Sequence, residues 1–210
     1  MRRGWRQMAA ALLAVSMLGV AGCGGSDQKN EPASPTPSAS PTSPSSPATE
    51  EPGGPPTGWE DKYSADELNA YNAALARWQR YNELTEPIYK AGRDTPEARK
   101  IIREYELQWR RAISDLVQYY DKGGLRNEVP PSSLWTQAIS VSLNPDGTGT
   151  VIIEQCTDYR SAVVTKDGKP AEGAIPKHPI TLLAVHMAKA KGNDWKVAAL
   201  KLADKTSCEG

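Results

Sequence analysis

The sequence predicts an α+β domain, with helices first and an antiparallel sheet after them, behind an apolar leader and a proline-rich spacer. Three observations predict it. Between Leu68 and Tyr120, large apolar residues recur every three or four positions, the period of one helix face. After Pro130-Pro131 the period drops to two, as in half-buried strands, and turn residues punctuate the alternation. Helical segments gathered ahead of the strands, not interleaved with them, give the α+β order with helices on one face of the sheet.

The leader comes first. Arg2, Arg3 and Arg6 form a basic start, and Met8 to Val20 is then apolar or small without a charge. That run is too short for a ~30 Å hydrocarbon core, which takes roughly 20 helical residues. It matches the apolar region of a secretory signal peptide, assigned to residues 1–22. Small residues lead into a cysteine: Val20-Ala21-Gly22-Cys23. This stretch resembles the lipobox of bacterial lipoproteins. The resemblance implies cleavage before Cys23, a diacylglyceryl group on its sulfur, and a location on the outer face of the cell membrane. The physics suits it, since two acyl chains hold a protein stably where one holds marginally. The pair Arg2-Arg3 does not specify an export route.

Residues 23–58 read as a lipidated start and a disordered linker. Between Asp27 and Thr57 there is no aromatic residue, Leu, Ile or Val, and Pro, Ser, Thr, Ala, Glu and Gly dominate. Such composition buries too little apolar surface to offset its ordering entropy. Fully extended, it reaches roughly 110 Å at 3.1 Å per residue. Its length suits a domain held off the membrane.

Residues 59–210 have the size of one ordinary domain, about 150 residues. The formal charges of the whole chain balance, and loss of the leader's arginines leaves about −3. No electrostatic footprint for nucleic acid results. There is no Phe, so six Trp, one of them in the leader, and eight Tyr supply the aromatic bulk. Ser64-Ala65-Asp66-Glu67 has the form of a capping box. Leu68, Tyr71, Leu75, Trp78 and Tyr81 follow on one helix face, and Pro87 is expected to end or restart that helix. Thr95-Pro96 starts a second helix. Ile102, Tyr105, Trp109, Ile113, Leu116 and Tyr120 predict that it runs unbroken to the stop at Gly123-Gly124. Glu106 and Arg110 are expected to pair on its solvated face. Trp135, Ile139, Val141 and Leu143 predict the buried side of a first strand. Asn144 to Gly147 turns it into a return strand, Val151 to Thr157. Ala162 to Thr165 predicts a short strand closed by Lys166-Asp167-Gly168-Lys169. Ile180 to Ala190 and Trp195 to Leu202 predict a last hairpin.

This element order, with Cys156-Thr157-Asp158 in the first hairpin, an Asp-Gly turn, Gly192-Asn193-Asp194-Trp195-Lys196-Val197 in the last one and a terminal Cys208, resembles the nuclear transport factor 2-like (SnoaL-like) superfamily. The nearest likeness is to its lipoprotein members in high-GC Gram-positive bacteria. The resemblance implies a cone: N-terminal helices packed in a strongly curved antiparallel sheet, open at one end. It implies that Tyr105 and Trp109 face the concave side. Enzymes of that superfamily place Asp, His or Tyr in the cone for proton abstraction or dehydration, which makes Asp158, His186, Tyr105 and Tyr120 the candidates here. Each has a more economical structural reading. Asp158 opens a turn after its strand and is expected at a solvated rim with an ordinary pKa. His186 is a strand residue, and the tyrosines lie on apolar stripes. Asp158 and His186 are not expected to share one pocket, so no catalytic residue is assigned.

Outside the cytoplasm, Cys156 and Cys208 are expected to form a disulfide. The alternative is a pair of thiolate metal ligands joined by His186, at spacings unlike those of metal sites. No cofactor or metal is assigned. No motif for nucleotide, phosphate, zinc or a nucleophilic serine occurs. The expected function is a membrane-anchored, non-enzymatic binding or protein-interaction module. Its partners would be the membrane, through Cys23, and an envelope protein or small ligand. The alternatives are a SnoaL-like or dehydratase-type enzyme, and an accessory subunit of an envelope assembly or a surface exclusion lipoprotein of a mobile element.

Overall fold

The first helix starts where its cap predicts. In a computed structural model describing residues 54–202 and Cys208, α1 runs Ala65–Ala91. The Glu67 carboxylate accepts from the Ser64 N–H at 2.8 Å, and Ser64 Oγ accepts from the Glu67 N–H at 3.3 Å. Tyr71, Ala74, Trp78, Tyr81 and Thr85 form its buried stripe. Trp59 packs edge-on against Tyr71 ahead of it. The expected break at Pro87 is absent, because α1 continues through it. Proline deletes the bond to the Glu83 carbonyl and crowds that oxygen, but both residues are exposed, on a side of the helix where the carbonyl can tilt out to solvent. The helix stops at Gly92, whose φ of 59° is left-handed and whose N–H reaches the Ile88 carbonyl at 2.7 Å.

The second helix is broken where the sequence predicts continuity. α2 spans Pro96–Tyr105, capped by Thr95, whose Oγ1 accepts from the Ala98 N–H at 3.1 Å. Glu106 is then extended (φ −109°, ψ 136°). It bridges Val197 in parallel, and the Leu107 N–H donates to the Val197 carbonyl at 2.9 Å. α3 resumes over Trp109–Asp115 and passes into a π-helical segment, Leu116–Asp121. The apolar period survived the break because both halves pack on one cluster, Ala98, Ile102 and Leu116 with Tyr89, Trp109, Ile113 and Tyr120. The sheet edge competes for the backbone of Glu106 and Leu107. The expected Glu106–Arg110 pair is therefore not formed: Glu106 receives the Tyr81 hydroxyl, and Arg110 lies over the Trp109 ring. Trp109 packs among helix residues and not on the sheet; Tyr105 does join the sheet-facing core.

Two antiparallel sheets follow. The larger has the order β2 (Ser132–Leu143), β3 (Gly149–Asp158), β6 (Ile180–Lys189) and β7 (Trp195–Leu202). The smaller joins β1 (Leu125–Val129), β4 (Val163–Lys166) and β5 (Lys169–Pro170). β1 was not legible in the sequence, being five residues long with three polar ones. Asp167 and Gly168, both at positive φ, make the tight turn of β4–β5. The first-strand prediction fails in its phase. Ala138 pairs with Ile153 and Ser140 with Ile152, so Ile139 is an unpaired bulge residue. Ala138 and Val141 therefore face the core, while Ile139 and Leu143 are exposed and Trp135 lies on the other face. Such bulges bend and twist a strand.

The core lies between α1 and the larger sheet: Tyr71, Trp78, Tyr81 and Tyr105 against Val151, Ile153, Val185, Met187 and Val197. The opposite face holds a smaller cluster of Trp135, Cys156, Ile180, Leu182 and Cys208. No described helix is long and apolar enough to cross a membrane. The leader, Cys23 and all but the last few linker residues lie outside the described residues.

Candidate functional site

A cleft of about 490 Å³ opens between the C-terminal half of α1 and strands β2 and β3. Its volume is in the range of small-molecule sites, roughly 300–1,000 Å³. Strand alternation builds the floor. Val151 and Ile153 point into the core, so Gln155 and Thr157 continue on the same side where the core gives out. The Trp78 indole N–H donates to Gln155 Oε1 at 2.8 Å, and Gln155 Nε2 donates to Thr157 Oγ1 at 3.1 Å. All three side chains are buried. Thr136 lies beside them and receives the Tyr71 hydroxyl at 3.2 Å. Pro130 and Pro131 close one side, Tyr89 and Tyr159 bring rings to it, and the exposed Glu83 and Glu86 line it from α1. Among the described residues no Lys, Arg or His lines the cleft. Burial pushes the Tyr159 phenol up, and that of Tyr89 up to about 12, so both stay neutral.

Tyr89 also borders a second cavity of about 300 Å³, with Glu106, Asp115, Arg111 and Tyr120. The Tyr81 hydroxyl donates to Glu106 Oε1 at 2.6 Å. Burial raises the Glu106 pKa; the Tyr81 bond lowers it, and nearby Asp115 raises it further. Burial also drives the Tyr81 phenol far up. This carboxylate ties the helix break to Tyr81 of α1, while the backbone of Glu106 and Leu107 meets β7. The sequence had given it a solvated face.

The catalytic candidates do not converge. Asp158 pairs with Ile180 and His186 with Ile152, six residues apart along β3 and thus ~20 Å. Neither lines the cleft or the second cavity. Asp158 accepts from the Arg160 backbone N–H at 2.8 Å and from its guanidinium at 2.7–3.0 Å, which is the expected turn. Its side chain is only 11% exposed, however, and Arg160 holds its carboxyl below the usual range. The expected solvated rim with an ordinary pKa is thereby corrected. His186 lies on the face away from the helices, and burial, then Lys201, lowers its pKa. Tyr105 stacks on Tyr81 and carries the Arg77 guanidinium 3.7 Å over its ring. Tyr120 packs on Tyr89 at 4.8 Å between centroids.

Cys156 and Cys208 stand at disulfide distance, S–S 2.02 Å and Cα–Cα 5.7 Å. That removes both thiolates from the alternative metal set. The floor residues Gln155 and Thr157 were missed in the sequence, although a signal existed: they continue the alternation of Val151 and Ile153 with polar types. Compared with known proteins, the chain matches no family model and no curated protein.

Proposed function

We propose that the chain is a lipid-anchored extracytoplasmic binding module of nuclear transport factor 2-like kind, with the α1–β3 cleft as its binding site. The carrying observation is the cleft floor, where buried neutral hydrogen-bonding groups are fixed by one another, while the carboxylates of the lining, Glu83 and Glu86, are exposed on α1. Pre-set polar groups at the floor of a cleft favour recognition. Proton abstraction needs a titratable group near its working pH. The residues Val20-Ala21-Gly22-Cys23 support the anchor.

Two variants test this. Cys23→Ser should leave the membrane fraction or accumulate as an uncut precursor; unchanged mass and membrane fractionation would refute the anchor. Asn82→Trp places a bulky ring at the exposed cleft mouth. Crosslinking in the native envelope should yield an adduct with the unaltered chain and lose it with Asn82→Trp. An adduct indifferent to Asn82→Trp would put binding elsewhere.

A further inference from the structure

We infer that the cleft takes an uncharged, oxygen-rich ligand of the saccharide class, and that the Thr157 hydroxyl donates to one of its oxygens. The inference rests on the cleft being the binding site. Proton bookkeeping carries it. An indole N–H can only donate, so the Gln155 atom facing Trp78 at 2.8 Å is the oxygen. The amide nitrogen then faces Thr157 and donates to its Oγ1 at 3.1 Å. The accepting side of Thr157 is thus engaged, and its own O–H remains. Among the described residues no protein group accepts that proton within hydrogen-bond reach. Thr157 is 2% exposed and lines the cleft. A buried donor left unpaired is costly, and a ligand oxygen satisfies it.

The remaining lining selects the class. An anion would meet Glu83 and Glu86 with no cation to pair with. A cation would find those carboxylates solvated at the mouth and none at the floor. An apolar molecule would strand the hydroxyls and amides of Thr157, Ser133 and Asn82. A peptide added as a strand beside this cleft could pair only with the free edge of β2, because β3 is paired on both sides, and would then lie two strand spacings, about 10 Å, from Thr157. A saccharide brings hydroxyls that accept and donate, with C–H faces for the Tyr89 and Tyr159 rings.

The test uses the full chain in neutral detergent and a set of neutral trisaccharides: cellotriose, maltotriose, mannotriose and chitotriose. Calorimetry or amide chemical shifts report binding. At least one should bind. Thr157→Val should weaken it about tenfold or more, as a site loses when a buried hydrogen bond is deleted. Thr157→Ser should restore it, and Thr157→Ala stands in should valine fail to fold. Glu172→Gln, exposed and outside the cleft, should leave binding unchanged. If none of the four binds at millimolar concentration, or if Thr157→Val binds as tightly as the unaltered chain, the inference is wrong. Trigalacturonic acid or the chitosan trimer bound in their place, and blocked by Asn82→Trp, would overturn the ligand class and keep the cleft. Sugar binding that Asn82→Trp leaves intact would overturn the cleft itself.

Discussion

Reducing the Cys156–Cys208 bond isolates what the cross-link contributes to stability. The two cysteines are 52 positions apart in sequence. Loop-closure entropy in the unfolded chain then gives roughly 4 kcal/mol at 25 °C, an upper-end figure of a chain-entropy model. That is a large share of the ~5–15 kcal/mol available to a domain. At about 2–4 °C per kcal/mol for a chain of this size, the melting midpoint should fall by roughly 8–16 °C. Reduction is the cleaner perturbation, because it leaves both sulfurs in place. Cys156 is 0% and Cys208 2% exposed, so a double alanine variant adds lost packing and should fall further. The assay is thermal and guanidinium unfolding of oxidised and reduced protein, with mass spectrometry of an unreduced digest to confirm the pairing. The reduced protein should also show the steeper denaturant slope, since its unfolded chain is no longer tied into a loop. Coincident curves would refute the reasoning. So would free thiols at both positions in the unreduced protein.

Glu106→Gln should flatten part of the pH dependence of stability. The folded pKa of Glu106 is raised, so the stability tied to its proton is fully present below the ordinary glutamate value and falls as pH rises through the folded value. Glutamine keeps an oxygen for the Tyr81 hydroxyl and removes that decline; urea midpoints that run parallel for both proteins from acid to neutral pH would count against it. Gly92→Ala should cost more than the ~1–2 kcal/mol of a left-handed L-residue. Its Cβ would overlap the Arg126 guanidinium, which also donates to the Tyr120 carbonyl at 2.7 Å. A cost confined to about 1–2 kcal/mol would show that Arg126 yields freely, and an unchanged unfolding midpoint would refute the backbone strain as well.

Local signals were read correctly wherever local chemistry decides. The Ser64 capping box, the Thr95-Pro96 start, the Gly124 stop and the Asp167-Gly168 turn each rest on a few adjacent residues. Errors came where a distant partner decides. Pro87 breaks nothing: it lies with Glu83, whose carbonyl it frees, on the exposed side of α1. The helix break at Glu106 depends on β7, some ninety residues later, and on Tyr81. The period across it gave no warning, since both halves return to the same cluster. In β2 the unpaired residue at Ile139 reverses the alternation, and a bulge has no fixed residue signature.

β3 shows why the fold was easier to read than the site. The residues that attract a chemist's eye, Cys156 and Asp158, are two apart and share a face. That face points away from the helices. One ties down Cys208, and the other is occupied by Arg160. The residues between and before them, Thr157 and Gln155, are chemically modest and face the cleft. A strand cannot present both sets to one side, so fixing the first set outward commits the second inward. The cross-link therefore lies in sequence between the two floor groups while leaving the cleft open. It holds the backbone that positions the Trp78–Gln155–Thr157 chain without using any of its polar atoms. A donor held in this way loses little freedom when a ligand arrives, and less of the interaction is spent on ordering. The sulfur chemistry of this strand thus braces the cleft from behind, and in the proposed reading recognition falls to an amide and a hydroxyl.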